Sequence, residues 1–260
     1  MRERKSDARA KTVQTIVVCV VFAAFLGLAV ASTLSATLRR YRPDIALDFR
    51  PSDAVAKARL ASLIQERSGF SAARGVEVQL AKEALVRDPT VAVAARVLGM
   101  GRAAGGERDA AADAMTYADA LTRRDLPTQV WLIEYHLERG EIPQMLRNFE
   151  AAASTSRGAM SVLFPIMVTA LNEPEMVGPV ADLLSREPWW AASLVRGIAE
   201  GNGSTRNAGR LFIELAERGH APRPDLAVLV VRRLESEGFA ADARRLDQLA
   251  VKSPARAPVN

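Results

Sequence analysis

Alanine returns at positions 84, 118 and 152, an interval of 34 residues held twice. Ile64, Leu98 and Leu132 keep the same interval, as do Gly106 and Gly140, while Ala81, Met115 and Phe149 give each copy an apolar position. A recurrence of roughly 20–45 residues marks a supersecondary unit that must stack on its neighbours, because alone it cannot bury its apolar face. Composition says which kind of unit. Hydrophobic residues make up 49% of the chain but aromatics only 5%, and much of the rest is alanine, the best helix former and a poor strand former. The expected unit is a pair of helices, and the expected fold class is all-α.

The stretch VLGMGRAAGG, residues 97–106, carries two readings. Gly99, Gly101 and Ala104 spell G-x-G-x-x-A with Asp119 lying 20 residues beyond Gly99, a pattern that in a strand–loop–helix setting would cradle a dinucleotide. The segment ending at Asp119, DAAADAMTYADALT, instead places small and apolar groups at helical intervals. Gly99 is therefore expected where two helices approach closely, and Gly105-Gly106 where the chain reverses between them. Neither a nucleotide nor any other cofactor is expected.

The 34-residue spacing resembles the tetratricopeptide repeat family. In the second copy Leu98-Gly99 matches the family's Leu-Gly of the first helix, Gly106 the turn glycine, and Ala111 and Ala118 the small residues of the second helix. The first copy ends in Ala84-Leu85-Val86-Arg87-Asp88-Pro89, similar to the family's ending before proline. The third keeps Leu132, Gly140 and Ala152 but has Ile133 at the helix glycine. Later copies drift, although Pro188, Gly201-Asn202-Gly203-Ser204, Pro222 and Gly238-Phe239-Ala240-Ala241 still punctuate helical segments. The resemblance implies an α-solenoid of about six helical hairpins over residues 53–252, followed by a disordered tail at 253–260. It also implies a protein-binding groove lined by first helices, at Val93, Arg96, Met100 and Ala103 in the second copy and Val130, Glu134 and Leu137 in the third.

Before the repeats, no charged side chain occurs from Thr12 to Leu38. At about 1.5 Å per residue, about 20 helical residues cross a hydrocarbon core roughly 30 Å thick, so residues 12–38 are expected to form a transmembrane helix. Ala29-Val30-Ala31 also fits a signal-peptidase site, but the apolar run exceeds the roughly 7–15 residues of a signal peptide, which favours a retained anchor. Arg2, Arg4, Lys5, Arg9 and Lys11 precede the span; Arg39, Arg40 and Arg42 follow it. That bias places the basic tail, residues 1–11, in the cytoplasm. The repeat domain then lies in the periplasm of a bacterium, with the span in the inner membrane. Within the span Ala23, Gly27, Ala31 and Ser35 recur every four residues, a small-residue face on which transmembrane helices could self-associate. The connector, 39–52, contains prolines that forbid a continuous helix, and Ser52 is expected to cap the first repeat helix.

Charge and chemistry narrow the function classes. The formal charge of +5 resides largely in the first eleven residues, so the remainder carries no nucleic-acid-binding stripe. The single cysteine, Cys19, lies in the apolar run, and His136 and His220 have no ligand-spaced companions. Glu134, Glu138 and Glu141 form an acidic group whose expected place is a solvated helix end. One of Trp189 and Trp190 is expected in the core, and the other is left to an inter-repeat joint or a partner, because adjacent helix residues point about 100° apart. The expectation is a membrane-anchored, non-enzymatic helical-repeat scaffold for protein–protein interaction, in an envelope secretion or polysaccharide machine. The alternatives are a periplasmic peptide-binding chaperone and a carboxylate-dependent cell-wall enzyme.

Overall fold

A computed structural model describes residues 2–68, 75–155, 157–201 and 203–252; Asn202 of the expected turn and the expected tail at 253–260 lie outside the described residues. The described residues form fourteen α-helices and two single 3-10 turns, with no strand among them. They divide into two compact units, residues 1–122 and 123–260.

The first unit holds α1 (Arg2–Leu38), α2 (Pro43–Phe49), α3 (Ala54–Ser68), α4 (Val76–Arg87), α5 (Ala92–Ala104) and α6 (Arg108–Leu121). Helix α1 runs unbroken from Arg2, so the basic residues expected as a tail are its first turns. Pro43 ends the continuous helix and starts α2, where its missing amide costs nothing. The cap of α3 is Asp53, one residue beyond the expected Ser52: its Oδ1 accepts the Ala56 amide at 3.0 Å. The α3–α4 and α5–α6 pairs pack as hairpins, and α5 also lies on α3 and α4. Their core is almost wholly small, with Ala54, Ala58, Ala61, Ala81, Ala84 and Ala94 buried around Val91 and Val97. Small side chains let helix axes come close, which is why the alanine positions keep strict spacing.

The glycines take the places expected of them. A Cβ on Gly99 would sit 3.1 Å from Met115 on α6, so its absence lets the two helices meet. Gly106 has φ +83°; its amide donates to Ala103 and that of Glu107 to Arg102, the paired bonds of a Schellman C-terminus. Gly140, 34 residues on, ends α7 in the same way. Gly99 and Gly101 both lie inside α5, so the G-x-G-x-x-A letters are not a phosphate-binding loop.

The second unit holds α7 (Leu126–Glu138), α8 (Ile142–Thr155), α9 (Met160–Ala170), α10 (Val177–Leu184), α11 (Ala191–Glu200), α12 (Thr205–Glu217), α13 (Pro224–Ser236) and α14 (Ala240–Lys252). Here the core is built from large side chains, among them Phe149, Leu163, Trp190, Leu194, Phe212 and Leu234. The rings of Phe149 and Trp190 meet edge to face, 5.5 Å apart. Pairs α7–α8 and α13–α14 pack as hairpins, whereas α12 lies chiefly on α10, α13 and α14. Large side chains fill a core at variable helix spacing, and beyond α8 the helical order continues without the strict interval.

Several hydrogen bonds join helices whose residues lie 32 to 36 apart in the chain. Arg96 Nη2 donates to Ser62 Oγ at 2.9 Å across 34 residues, and Gln65 donates to the Val97 carbonyl across 32. In the second unit Arg233 donates to the Ala199 carbonyl across 34 residues, and Asn207 to the Leu171 carbonyl across 36.

Candidate interaction surfaces

The resemblance-derived groove residues fall in both units and in different environments. Val93 is half-buried against the alanine core. Met100 and Ala103 are half-buried farther along α5. Arg96 is only 4% exposed, with its guanidinium on Ser62, so the structure places this cation between helices and not on a solvent-facing wall. Withdrawing a guanidinium from water is costly, and the hydrogen bond to the Ser62 hydroxyl offsets part of that cost. In the second unit Val130 and Leu137 pack against the large-residue core, and Glu134 is exposed.

Beside Glu134 runs a feature the groove positions omit. Trp131 and Tyr135 stack with centroids 5.2 Å apart and planes within 14°, and the Arg139 guanidinium lies 5.3 Å from the centre of the Tyr135 ring. Residues four apart share a helix face, so α7 carries an aromatic–aromatic–cation row, half-buried at its two rings and exposed at Arg139. The i, i+4, i+8 spacing was its signal in the sequence. Trp189 is 54% exposed whereas Trp190 is fully buried, so one of the pair is in the core as expected, although both precede α11 and the division is made in the turn before it, not by helical geometry.

Of the acidic group Glu134, Glu138 and Glu141, Glu141 is ion-paired just beyond the end of α7. Glu141 accepts from His136 Nδ1 at 2.7 Å and from Arg139 at 3.3 Å. The His136 hydrogen bond is the main cause that holds the Glu141 carboxyl below its usual range; burial opposes it and Arg139 assists. A glycosidase acid needs the opposite shift, toward a retained proton. His220 lies 3.1 Å from Glu187. Among the described residues no group of three His, Cys, Asp or Glu side chains is arranged to hold a metal.

A shallow depression of about 720 Å³ separates α8 from α10, floored by Ile142, Leu146 and Leu183 and rimmed by Arg147, Glu150, Asp182 and Arg186. On the rim Arg186 lies 3.9 Å from Glu150, and Asp182 is 3.3 Å from Arg218, which stands outside the depression. The sequence showed the charges but not that residues of α8 and α10 line one depression with an apolar floor.

On α1, residues Val20–Leu38 form a helical stretch long and apolar enough for a membrane span or a signal sequence. The expected small-residue face is divided. Ala23 and Gly27 are exposed, and a Cβ on Gly27 would meet nothing within 4 Å. Ala31 is half-buried and Ser35 fully buried, for here the chain folds back on its own helix. Ser35 Oγ donates to Asp53 Oδ2 at 2.8 Å, so Ser35 belongs to an intrachain contact and not to a face open to a second transmembrane helix. Burial disfavours the Asp53 anion, but the Ala56 amide, the Ser35 hydroxyl and the nearby Arg39 guanidinium outweigh it and hold this carboxyl below its usual range. In comparisons with protein-family models and with curated proteins, nothing matches this chain.

Proposed function

We propose that this protein is a single-span, membrane-anchored scaffold whose helix pairs stack as a tetratricopeptide-like superhelix and recruit another envelope protein. The observation that carries the reading is the Trp131–Tyr135–Arg139 row on α7. Aromatic rings and arginine left partly in water are the side chains that dominate binding energy in protein interfaces. Exposed Trp189 adds a second anchor of the same kind. The apolar α1 raises the effective concentration of these side chains at the membrane, so a modest contact suffices. The charge bias around α1 puts its N-terminus in the cytoplasm and the helix pairs in the periplasm of a bacterial cell. Assembly or regulation of a secretion or polysaccharide machine is a role in keeping with that placement.

A photoreactive residue at Tyr135 or Trp189, activated in intact cells, tests this. The expected result is one discrete membrane or envelope protein crosslinked at both positions, and not from an exposed site in the first unit such as Val86. Many unrelated unfolded chains at the same sites would mark a chaperone instead. Glycan cleavage by the purified chain, lost on changing one acidic pair and without any discrete crosslink, would overturn the scaffold.

A further inference from the structure

The apolar run of α1 must give way to water, and the contact between Ser35 and Asp53 shows where. A carboxylate hydrogen-bonded to Ser35 and to the Ala56 amide, with Arg39 beside it, is expensive in hydrocarbon. From Lys11, the last charge before the run, to Ala31, one helical turn before Ser35, a helix at about 1.5 Å per residue rises about 30 Å. That is the thickness of a hydrocarbon core. The headgroup layer then falls on the last two turns of α1 and on what α2 brings back against them.

What α2 and its flanks bring is suited to that layer. Tyr41 is 76% exposed and Phe49 44%, while Arg40 and Arg50 are exposed close to them in sequence. Arg40 lies 5.9 Å from the centre of the Tyr41 ring. Arg42 is committed to Asp44 at 3.0 Å, which leaves Arg40 and Arg50 as the cations placed for an external anion. Aromatic rings gain most at the boundary between headgroups and acyl chains, and arginine forks match phosphate oxygens.

We propose that this elbow, residues 39–53, is seated in the headgroup layer of the leaflet through which α1 leaves the membrane. Tyr41 and Phe49 lie among the upper acyl chains, and Arg40 and Arg50 bind the phosphates of anionic phospholipids. The inference rests on the reading of α1 as a membrane span. Its consequence is mechanical: with Ser35 bonded to the cap of α3, the first helix pair holds a set pose on the bilayer instead of swinging on a loose tether.

The test uses the full chain with Cys19→Ser and one fluorescent cysteine label, introduced by Tyr41→Cys, Phe49→Cys, Phe25→Cys or Val86→Cys. All four sites are exposed, so the labels leave the core intact. The chain is reconstituted in phosphatidylcholine vesicles with or without phosphatidylglycerol, carrying nitroxide lipids labelled at the headgroup or mid-chain. Headgroup nitroxide is expected to quench positions 41 and 49 several-fold more than position 86, more strongly with phosphatidylglycerol, and less after Arg40→Glu with Arg50→Glu. Quenching at 41 and 49 no greater than at 86, with position 25 quenched by mid-chain nitroxide, overturns the elbow and leaves the span standing. Failure of mid-chain quenching at 25 removes the span and the elbow with it. Headgroup quenching indifferent to both phosphatidylglycerol and charge reversal overturns the assignment to anionic phospholipid.

Discussion

Asp53 does three things with one carboxylate: it caps α3 through the Ala56 amide, accepts from Ser35 on α1, and sits beside Arg39. Because its folded value is depressed, its stabilising contribution is complete above the unfolded aspartate range and is lost as pH falls through that range toward the lower folded value. Asp53→Asn keeps a capping side chain but removes the titration. Between neutral pH and about 3, the melting temperature of the natural chain is therefore expected to fall more than that of the variant. Equal falls would mean that other carboxylates control the acid limb. Gly106 and Gly99 differ in kind. Gly106→Ala forces a Cβ into left-handed backbone and is expected to cost about 1–2 kcal/mol in urea unfolding. At Gly99 a Cβ would press on the Cγ, Sδ and Cε atoms of buried Met115 at 3.1–3.2 Å, so Gly99→Ala is expected to cost less than about 1 kcal/mol if Met115 shifts, whereas Gly99→Leu should lose about 1–3 kcal/mol by overpacking. Both glycines were legible because each sits where a helical hairpin must bend or touch. The place of Arg96 was not, since it depends on Ser62, a hydroxyl 34 residues earlier that no local pattern pairs with it.

At the scale of elements, helix ends do much of the positioning. The Arg233 guanidinium on α13 donates to the Ile198 and Ala199 carbonyls at the end of α11, and to the Gly203 carbonyl and Thr205 hydroxyl at the start of α12. A cation on the last carbonyls of a helix satisfies acceptors that have no intrahelical donor and complements the helix dipole. Arg233→Met keeps the stem and removes these bonds; a loss of about 2–3 kcal/mol is expected, read from the urea midpoint. An unchanged midpoint would show that water replaces the guanidinium freely. Helix α7 serves the opposite purpose, leaving side chains partly outward. Trp131→Ala with Tyr135→Ala is expected to weaken partner capture by tenfold or more, the effect of losing about 2 kcal/mol at an interface anchor. The melting temperature should change little, since both rings are partly exposed. A large fall in melting temperature with capture intact would make the row a structural brace.

At the scale of the whole molecule, the two units have unlike cores. The first buries mainly alanine, whereas the second buries aromatic, leucine and methionine side chains. Burial stabilises by roughly 25 cal/mol per Å² of apolar surface, so an alanine core contributes less per residue. Under native conditions, amide hydrogen exchange in α4 and α5 is expected to precede that in α12 and α13 by an order of magnitude or more, the mark of separate cooperative units. Uniform exchange across both sets would indicate a single unit. The sequence carried a partial sign of this division, because the 34-residue interval runs through the alanine-rich first unit and the first helix pair of the second, at Leu132, Gly140 and Ala152, and loosens beyond it. That the α11–α12 succession is not a tight hairpin could not be read from the order of helices. It follows from α12 lying chiefly on α10, α13 and α14.

Sequence alone determined that the chain is helical, that it begins with a stretch apolar enough to enter a membrane, and where most helices stop. Those outcomes depend on residue propensity, apolar run length, prolines and glycines, all of which act within a few residues. Tertiary structure alone decided that the upper face of α1 is covered by the chain's own α2 and bonded through Ser35 to Asp53, that Arg96 lies inside, and that Trp189 is the outer tryptophan. Each of these turns on which distant side chain arrives at a given face, and that is settled by packing between helices far apart in the chain.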